Sequence, residues 1–310
     1  MRPLKTKSRR FLLAGATVFL ATPGLVQADQ KAWWLNVEGG FEYSDNVALE
    51  QSDANSMQGD VALVLELDTG YKLVDEKDAR VEIGYNFYQS LYDELTTFNW
   101  QSHNPSAVAW IRSGGIKYGV EYSYTNSLLD DSFFLEQHMF SPTFSTFITE
   151  DFFISGYYRF FSKNYNRLDD ARDASTQQGG ADVNYYFDRP NRGYVSVGGG
   201  FTSENTDGDA FDYDGFVGRA AAQYPIELFG QKGHVKLSYA YQRRDYDNEV
   251  SLPGPGTRGD DRHTLRLSTN VEIDTNVKAG LEVRRVVRDS NLNTSDYEEN
   301  VGSVFLRYGF

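Results

Sequence analysis

The chain has 310 residues, with 30 Lys and Arg against 44 Asp and Glu, no cysteine, and 21 residues each of Tyr and Phe. The lack of cysteine excludes disulfides, thiolate metal sites and cysteine nucleophiles. The acidic balance argues against a nucleic-acid partner, because a polyanion is repelled unless a basic patch compensates.

The first segment in chain order is basic and then apolar. Five basic residues lie within residues 1–10 and precede an apolar run from Phe11 to Leu20. This run is too short to span a bilayer as a helix, and Val26-Gln27-Ala28 is typical of a signal-peptidase site. We therefore expect residues 1–28 to be a cleaved secretory signal. Residues 29–310 then form a single domain with 25 basic and 44 acidic residues, a formal charge of −19.

Apolar residues in the remaining chain recur at every second position, not at the helical spacing of three and four. In residues 61–71, Val61, Leu63 and Leu65 alternate with polar positions that include Glu66 and Asp68. One face suits lipid and the other suits water, as in the strands of a transmembrane β-barrel. The pattern predicts fourteen strands, at 33–43, 59–73, 79–92, 99–112, 115–127, 134–148, 151–163, 176–188, 193–204, 212–225, 233–246, 261–273, 276–288 and 298–310.

The predicted connections alternate in length. Short ones fall at 75–78, 113–115, 149–151, 189–193, 229–233 and 274–276, and longer polar ones at 44–58, 164–175, 204–211 and 247–260. Short periplasmic turns and long outside loops are typical of bacterial outer-membrane barrels. We therefore predict an all-β fold, a transmembrane antiparallel β-barrel of about fourteen strands in the outer membrane of a Gram-negative cell. Both termini would be periplasmic.

The C-terminus carries apolar residues at alternate positions. Leu306, Tyr308 and Phe310 resemble the C-terminal signal by which outer-membrane barrels are delivered to their assembly machinery. The alternative is an ordinary strand that ends in Phe. We expect the barrel assembly machinery, outer-membrane lipid and lipopolysaccharide as partners of the chain.

Charged residues on the face opposite the apolar one would line a lumen. The later strands supply a basic wall and the early strands an acidic wall, which meet where the last strand pairs with the first. One interpretation is a transverse field that selects charged solutes. The other is a set of cross-strand ion pairs that fills and rigidifies the lumen. The basic wall comprises Arg219, Lys236, Arg266, Arg284 and Arg307, and the acidic wall Glu38, Glu42, Glu66, Asp68 and Glu82.

Three local sequence patterns predict further structural features. Arg285 and Arg288 bracket two valines, where we expect a bulge or the barrel rim. The glycines at 198–200 are expected to let a strand bend or a side chain approach closely, because no helix follows them to form a phosphate loop. Acidic–aromatic clusters at 43–46, 92–94, 212–214 and 245–247 favour solvated loop acids over calcium sites, since none has the spacing of a calcium loop. We predict no metal and no cofactor.

Histidines could provide a catalytic base, and the chain has four of them, His103, His138, His234 and His263. Nucleophilic catalysis requires a base held within hydrogen-bond reach of the nucleophile. His103 and His138 lie on predicted strands separated by a third strand, and Ser251, considered as a nucleophile for His263, lies in a predicted loop. The sequence therefore predicts no enzyme.

Five stretches resemble the C-terminal barrel domain of the surface lipoprotein assembly modifier family and related porin-like outer-membrane barrels. They are 43–49 (YSDNVAL), 211–225 (FDYDGFVGRAAAQYP), 243–248 (RRDYDN), 260–274 (DDRHTLRLSTNVEID) and 288–310 (RDSNLNTSDYEENVGSVFLRYGF). The resemblance implies a fourteen-stranded barrel and a role in moving lipoproteins to the cell surface. In that family a helical repeat domain precedes the barrel, whereas here the first predicted strand follows the cleavage site closely.

Two functional hypotheses follow. The leading one is a porin-like channel for small polar or charged solutes, with selectivity set by the lumen charge. The alternative is a translocation or assembly barrel for a surface lipoprotein or polysaccharide, acting with a periplasmic partner.

Overall fold

The computed structural model describes residues 32–49, 54–166, 169–249 and 256–310. The predicted signal segment 1–28 and its cleavage site lie outside the described residues. In the part of the chain that is described, no helix is long and apolar enough to cross a membrane.

Fourteen strands of the described residues form one closed antiparallel barrel. Each strand pairs with its sequence neighbours, and the last pairs with the first over Asn36 to Ser44 and Val301 to Gly309. The predicted fold class and strand number are confirmed. We number the strands β1 (Trp33–Ser44), β2 (Asp60–Glu76), β3 (Ala79–Tyr92), β4 (Trp100–Ser113), β5 (Ile116–Leu129), β6 (Ser132–Phe147), β7 (Phe152–Tyr165), β8 (Ala174–Asp188), β9 (Gly193–Thr206), β10 (Tyr213–Leu228), β11 (Gln231–Glu249), β12 (Thr257–Glu272), β13 (Val277–Ser290) and β14 (Tyr297–Gly309).

The two ends of the barrel differ in their connections. Residues 77–78, 114–115, 148–151, 189–192, 229–230 and 273–276 join strands at what we call the turn end. The longer connections lie at the opposite, loop end, where the first loop covers residues 45–59 and contains a separate ladder of Ala48–Leu49 with Ala54–Asn55. One connection at the loop end is short. Asp130 and Asp131 join β5 to β6 with φ values of 49° and 58°, the left-handed pair that a two-residue hairpin turn requires.

The strands β11 and β12 extend further than predicted. Their connection was expected at 247–260, whereas β11 ends at Glu249 and β12 begins at Thr257. The polar composition of this segment indicated a loop, but Arg244 pairs with Asp260 and Asp245 with Gly259 in the sheet. In the barrel interior Asp260 accepts hydrogen bonds from Arg258 and Arg288, whereas Asp245 pairs with Arg243 on the outer face.

The bulge expected at Arg285 and Arg288 is absent, and both residues lie near the loop end of β13, which ends at Ser290. The pairing of β13 with β12 and with β14 continues through both residues without a register shift. Their positions differ by an odd number, so they face opposite sides of the wall. Arg285 points outward to Glu298 with an N–O distance of 2.6 Å, and Arg288 points inward to Asp260.

Candidate functional site: a charged lumen

The inner face of the barrel follows from the register, because residues paired across two strands share a face. Large apolar side chains such as Phe41, Leu65 and Val283 are exposed on the outer face. All ten predicted wall residues lie on the opposite, inner face, which places Arg219, Lys236, Arg266, Arg284, Arg307, Glu38, Glu42, Glu66, Asp68 and Glu82 around the lumen.

Charge on the inner face is unevenly distributed. On β10 to β13, which we call the basic sector, ten cationic residues face inward: Arg219, Lys232, Lys236, Arg244, Arg258, Arg262, Arg266, Lys278, Arg284 and Arg288. The acidic residues on the inner face of these strands, within the described residues, are Glu227, Asp260, Glu272 and Glu282. On β1 to β3, the acidic sector, the inner face carries Glu38, Glu42, Asp60, Glu66, Asp68, Asp75 and Glu82, with Lys72 and Arg80 among them near the turn end. The lumen of this acidic protein thus has a strongly cationic side.

One ion pair lies where the two sectors meet, and another lies within the basic sector. Arg307 of β14 lies 2.7 Å from Glu38 of β1, and Arg266 lies 3.3 Å from Glu282 on the neighbouring strand. The side chains of Arg266 and Arg307 nevertheless remain 42% and 48% exposed. Pairing therefore rigidifies the wall and still leaves these two guanidinium groups in contact with the lumen solvent.

Arg284 occupies a different environment. Its side chain is mostly buried, lies 4.0 Å from Glu299, and interacts electrostatically with Glu42 and Tyr88. Ser44 of β1 donates a hydrogen bond to the Glu299 carboxylate at 2.9 Å. Side chains from β1, β3, β13 and β14 therefore converge here, which makes Arg284 part of the internal packing of the barrel.

Asp260 is the centre of a buried cluster in the basic sector. Its carboxylate accepts hydrogen bonds from Arg258, Arg288 and Ser290, at 2.8, 2.5 and 2.5 Å at the shortest. Asp260 and Arg288 are each only 2% exposed. This cluster was absent from the predicted walls because residues 247–260 were interpreted as a loop.

Arg219 belongs to a network on the inner face of β7 to β10. Its guanidinium donates three hydrogen bonds to the carboxylate of Asp182, at 3.2, 3.1 and 2.9 Å, and a fourth to the hydroxyl of Tyr157 at 3.1 Å. A Cβ atom on Gly198 would lie 1.9 Å from Asp182, and one on Gly180 would lie 2.7 Å from the Tyr157 hydroxyl oxygen. The glycines therefore provide the space in which these side chains lie against the wall.

A cluster of apolar side chains occupies the inner face near the loop end. Its buried members are Val47, Ala62, Tyr92, Phe98, Trp100, Phe134 and Leu135, and it spans β2 to β6. Val47 belongs to the first loop and is only 1% exposed. The first loop therefore folds inward at this point and narrows the lumen, a feature that alternation alone did not reveal.

The described part of the first loop is anchored on both sides of the lumen. Ala48 packs against Val286 and Tyr297, on β13 and β14. Asn46 donates a hydrogen bond to the carbonyl of Glu298 at 2.7 Å, and its own side-chain oxygen accepts one from the Met57 backbone at 2.9 Å. These contacts fix the segment that carries Val47.

The histidines of β4, β6 and β12 lie on the outer face. Each accepts or donates one hydrogen bond with a tyrosine of the preceding strand. The Oη to Nδ1 distances are 2.6 Å for Tyr85 and His103, 2.8 Å for Tyr122 and His138, and 2.7 Å for Tyr239 and His263. A phenol and an imidazole suit the interface between lipid and water. These pairs support a lipid-facing position for the three histidines. The fourth, His234, faces inward on β11, where its Nε2 lies 3.4 Å from the amide of Asn270.

The residues of the predicted C-terminal signal also face outward. Leu306, Tyr308 and Phe310 are exposed, and the rings of Tyr308 and Phe310 lie 4.4 Å apart. Their recognition by an assembly machinery stays a prediction.

Comparison with solved structures finds a similar barrel fold in outer-membrane proteins. OmpT, an outer membrane protein of Vibrio cholerae, superimposes with a TM-score of 0.53 at 8% identity, covering 91% of this chain and 99% of that chain. An anion-selective porin from Comamonas acidovorans gives a TM-score of 0.52 at 9% identity, covering 90% and 98%. No protein-family model and no curated protein matches the sequence. At these identities the likeness shows the fold.

Proposed function

We propose that this chain is a porin-like channel of the Gram-negative outer membrane that conducts small polar or charged solutes and favours anions. The observation that carries the proposal is the basic sector, where ten inward cationic residues face four acidic ones. A cationic lumen wall raises the local concentration of anions and repels cations.

The exposed residues of that sector set the expected selectivity. Arg266 keeps 42% of its side chain exposed, and Lys236 forms no ion pair within the described residues. Arg284 is held in buried contacts, so its role in this proposal is structural. Charge therefore acts on the solute mainly through Arg266, Lys236 and Lys278, and to a lesser extent through the partly exposed Arg219.

Conductance tests the proposal. Purified protein inserted into a planar lipid bilayer should produce discrete, reproducible current steps. Folded protein that inserts and remains silent would contradict a channel. Folding is checked separately by the shift in gel mobility on heating.

The resemblance to the surface lipoprotein assembly modifier family supports a second proposal, a translocation barrel acting with a periplasmic partner. The inward first loop favours the channel, because Val47 and its cluster narrow the mouth that a polypeptide would have to pass. Loss of surface display of a lipoprotein after deletion of this chain, together with a silent barrel in bilayers, would favour translocation. We propose no enzymatic activity for either case.

A further inference from the structure

We propose that Arg159, Gln178 and Arg219, grouped around Tyr157, form a binding site for a monocarboxylate on the inner face of β7 to β10. The inference rests on the proposed channel function and identifies the class of solute that the lumen takes.

Arg159 lies on the inner face, since its neighbour Phe160 is exposed on the outer face and its cross-strand partner is Gln178. Its guanidinium carbon lies 4.2 Å from the centroid of the Tyr157 ring. No carboxylate of the described residues forms an ion pair with it, although Glu121 interacts with it at longer range. Stacking on an aromatic ring orients the guanidinium and leaves its N–H groups available to an anion.

Arg219 lies on the other side of the same tyrosine. Its charge is balanced by Asp182, to which it donates three hydrogen bonds. The Tyr157 hydroxyl accepts a hydrogen bond from Arg219, so its own proton remains free to be donated. Two guanidinium groups and the one carboxylate that is hydrogen-bonded to one of them leave a single excess positive charge around Tyr157, and the more distant Glu121 makes a dianion less favourable still.

The surroundings leave this charge accessible. Gly180 and Gly200 are paired across β8 and β9, and neither provides a side chain above the Tyr157 hydroxyl. Gln178, opposite Arg159 on one side and Thr202 on the other, adds an amide donor on the same face. Three kinds of donor, the guanidinium of Arg159, the amide of Gln178 and the phenol of Tyr157, therefore border one uncovered stretch of wall.

One excess charge and a planar guanidinium match a monocarboxylate. A guanidinium binds a carboxylate through two parallel hydrogen bonds, and the second carboxylate lone pairs can accept from an amide or a phenol. A phosphate dianion would leave a negative charge uncompensated at this position, which the one unpaired guanidinium cannot neutralise.

The test is the block of single-channel chloride current by benzoate in planar bilayers. We expect Arg159→Gln to weaken the block by about tenfold or more, because it removes the charged partner of the carboxylate. Lys117→Gln is the matched control. Lys117 also faces inward, stacks 4.5 Å over the ring of Trp110, and forms no ion pair in the described part of the chain, but it lies away from Tyr157. Its removal should leave the benzoate block unchanged.

The possible results separate the two proposals. If the wild-type protein and Arg159→Gln both conduct and benzoate blocks them equally, the proposed site is wrong and the channel function is still supported. Stronger block by inorganic phosphate than by benzoate, lost with Arg159→Gln, would overturn the carboxylate assignment. If wild-type protein is folded but silent, the channel fails, and calorimetric titration of benzoate into the detergent-solubilised barrel tests the site alone. Absence of Arg159-dependent heat would then overturn it.

Discussion

Asp260 and Asp261 are adjacent in the sequence but lie on opposite faces of the wall. Asp260 is buried among Arg258, Arg288 and Ser290, whereas Asp261 faces outward, where Tyr241 and Arg243 donate to it. A carboxylate that compensates buried guanidinium groups contributes far more to stability than one in an exposed pair. The register of a β-strand thus gives two neighbouring aspartates different roles.

This difference leads to a residue-scale prediction. Asp260→Asn should reduce the free energy of unfolding by about 3–5 kcal/mol, the cost of breaking a buried ion pair. Asp261→Asn, the matched control, should cost about 0–1 kcal/mol. The measurement is the urea dependence of refolding into lipid vesicles. Equal losses for the two variants would show that Asp260 is not buried as described.

Where the strand pattern is regular, the sequence predicted correctly on which face of the wall the charged residues lie. The alternation in 61–71 and 261–273 indicated which side chains share a face, and Glu66, Asp68 and Arg266 lie on the inner face. It did not show which charges are buried. Arg284 and Arg266 are paired across β12 and β13, but only the contacts of Arg284 with Glu299 and Glu42 distinguish it from the more exposed Arg266.

At the scale of strands and loops, the period of two predicted the barrel because a lipid-facing side must be apolar along every strand. The apolar cluster inside the loop end was missed for the same reason. Tyr92, Trp100 and Phe134 face inward, but alternation assigns apolar residues to lipid and cannot identify a second apolar face at strand ends. The inward fold of the first loop depends on that cluster.

The assignment of the outer and inner faces of the barrel wall can be tested by introducing one arginine on each face. Val197 is exposed on the outer face, between Val183 and Ala220, and Ser196 faces inward between Asn184 and Ala221. Val197→Arg should destabilise the barrel in lipid by about 2–4 kcal/mol if it lies near the membrane midplane. Ser196→Arg should cost much less, because its charge enters the solvated lumen. The free energy of unfolding is measured in lipid vesicles. A larger loss in Ser196→Arg than in Val197→Arg would show that the two faces are assigned the wrong way round.

The first loop makes a separate prediction. Val47→Asp places a carboxylate in the apolar cluster, where its burial without a partner is unfavourable, so the segment should leave the lumen. Single-channel conductance should then rise. Met57→Asp changes a residue of the same loop that is 84% exposed, and should leave conductance unchanged. Equal conductance in Val47→Asp and wild type would show that this segment does not narrow the pathway.

Across the whole molecule, charge is sorted between the interior and the rest of the chain. The full sequence has a formal net charge of −14, yet the inner face of β10 to β13 is strongly cationic. Closure of β14 onto β1 brings the acidic and basic sectors to either side of one strand, joined by the ion pair of Arg307 and Glu38. One side of the lumen is therefore positively charged, although the net charge of the chain, taken alone, would suggest a negative lumen.

The most direct test of this account is the zero-current potential of the wild-type channel in a bilayer that separates two potassium chloride concentrations. The account predicts a potential whose sign corresponds to preferential passage of chloride, and a shift toward potassium when Lys236 and Arg266 are both replaced by Glu. A channel that favours potassium, or one whose potential is unaffected by that double substitution, would contradict the basic sector as the selective surface.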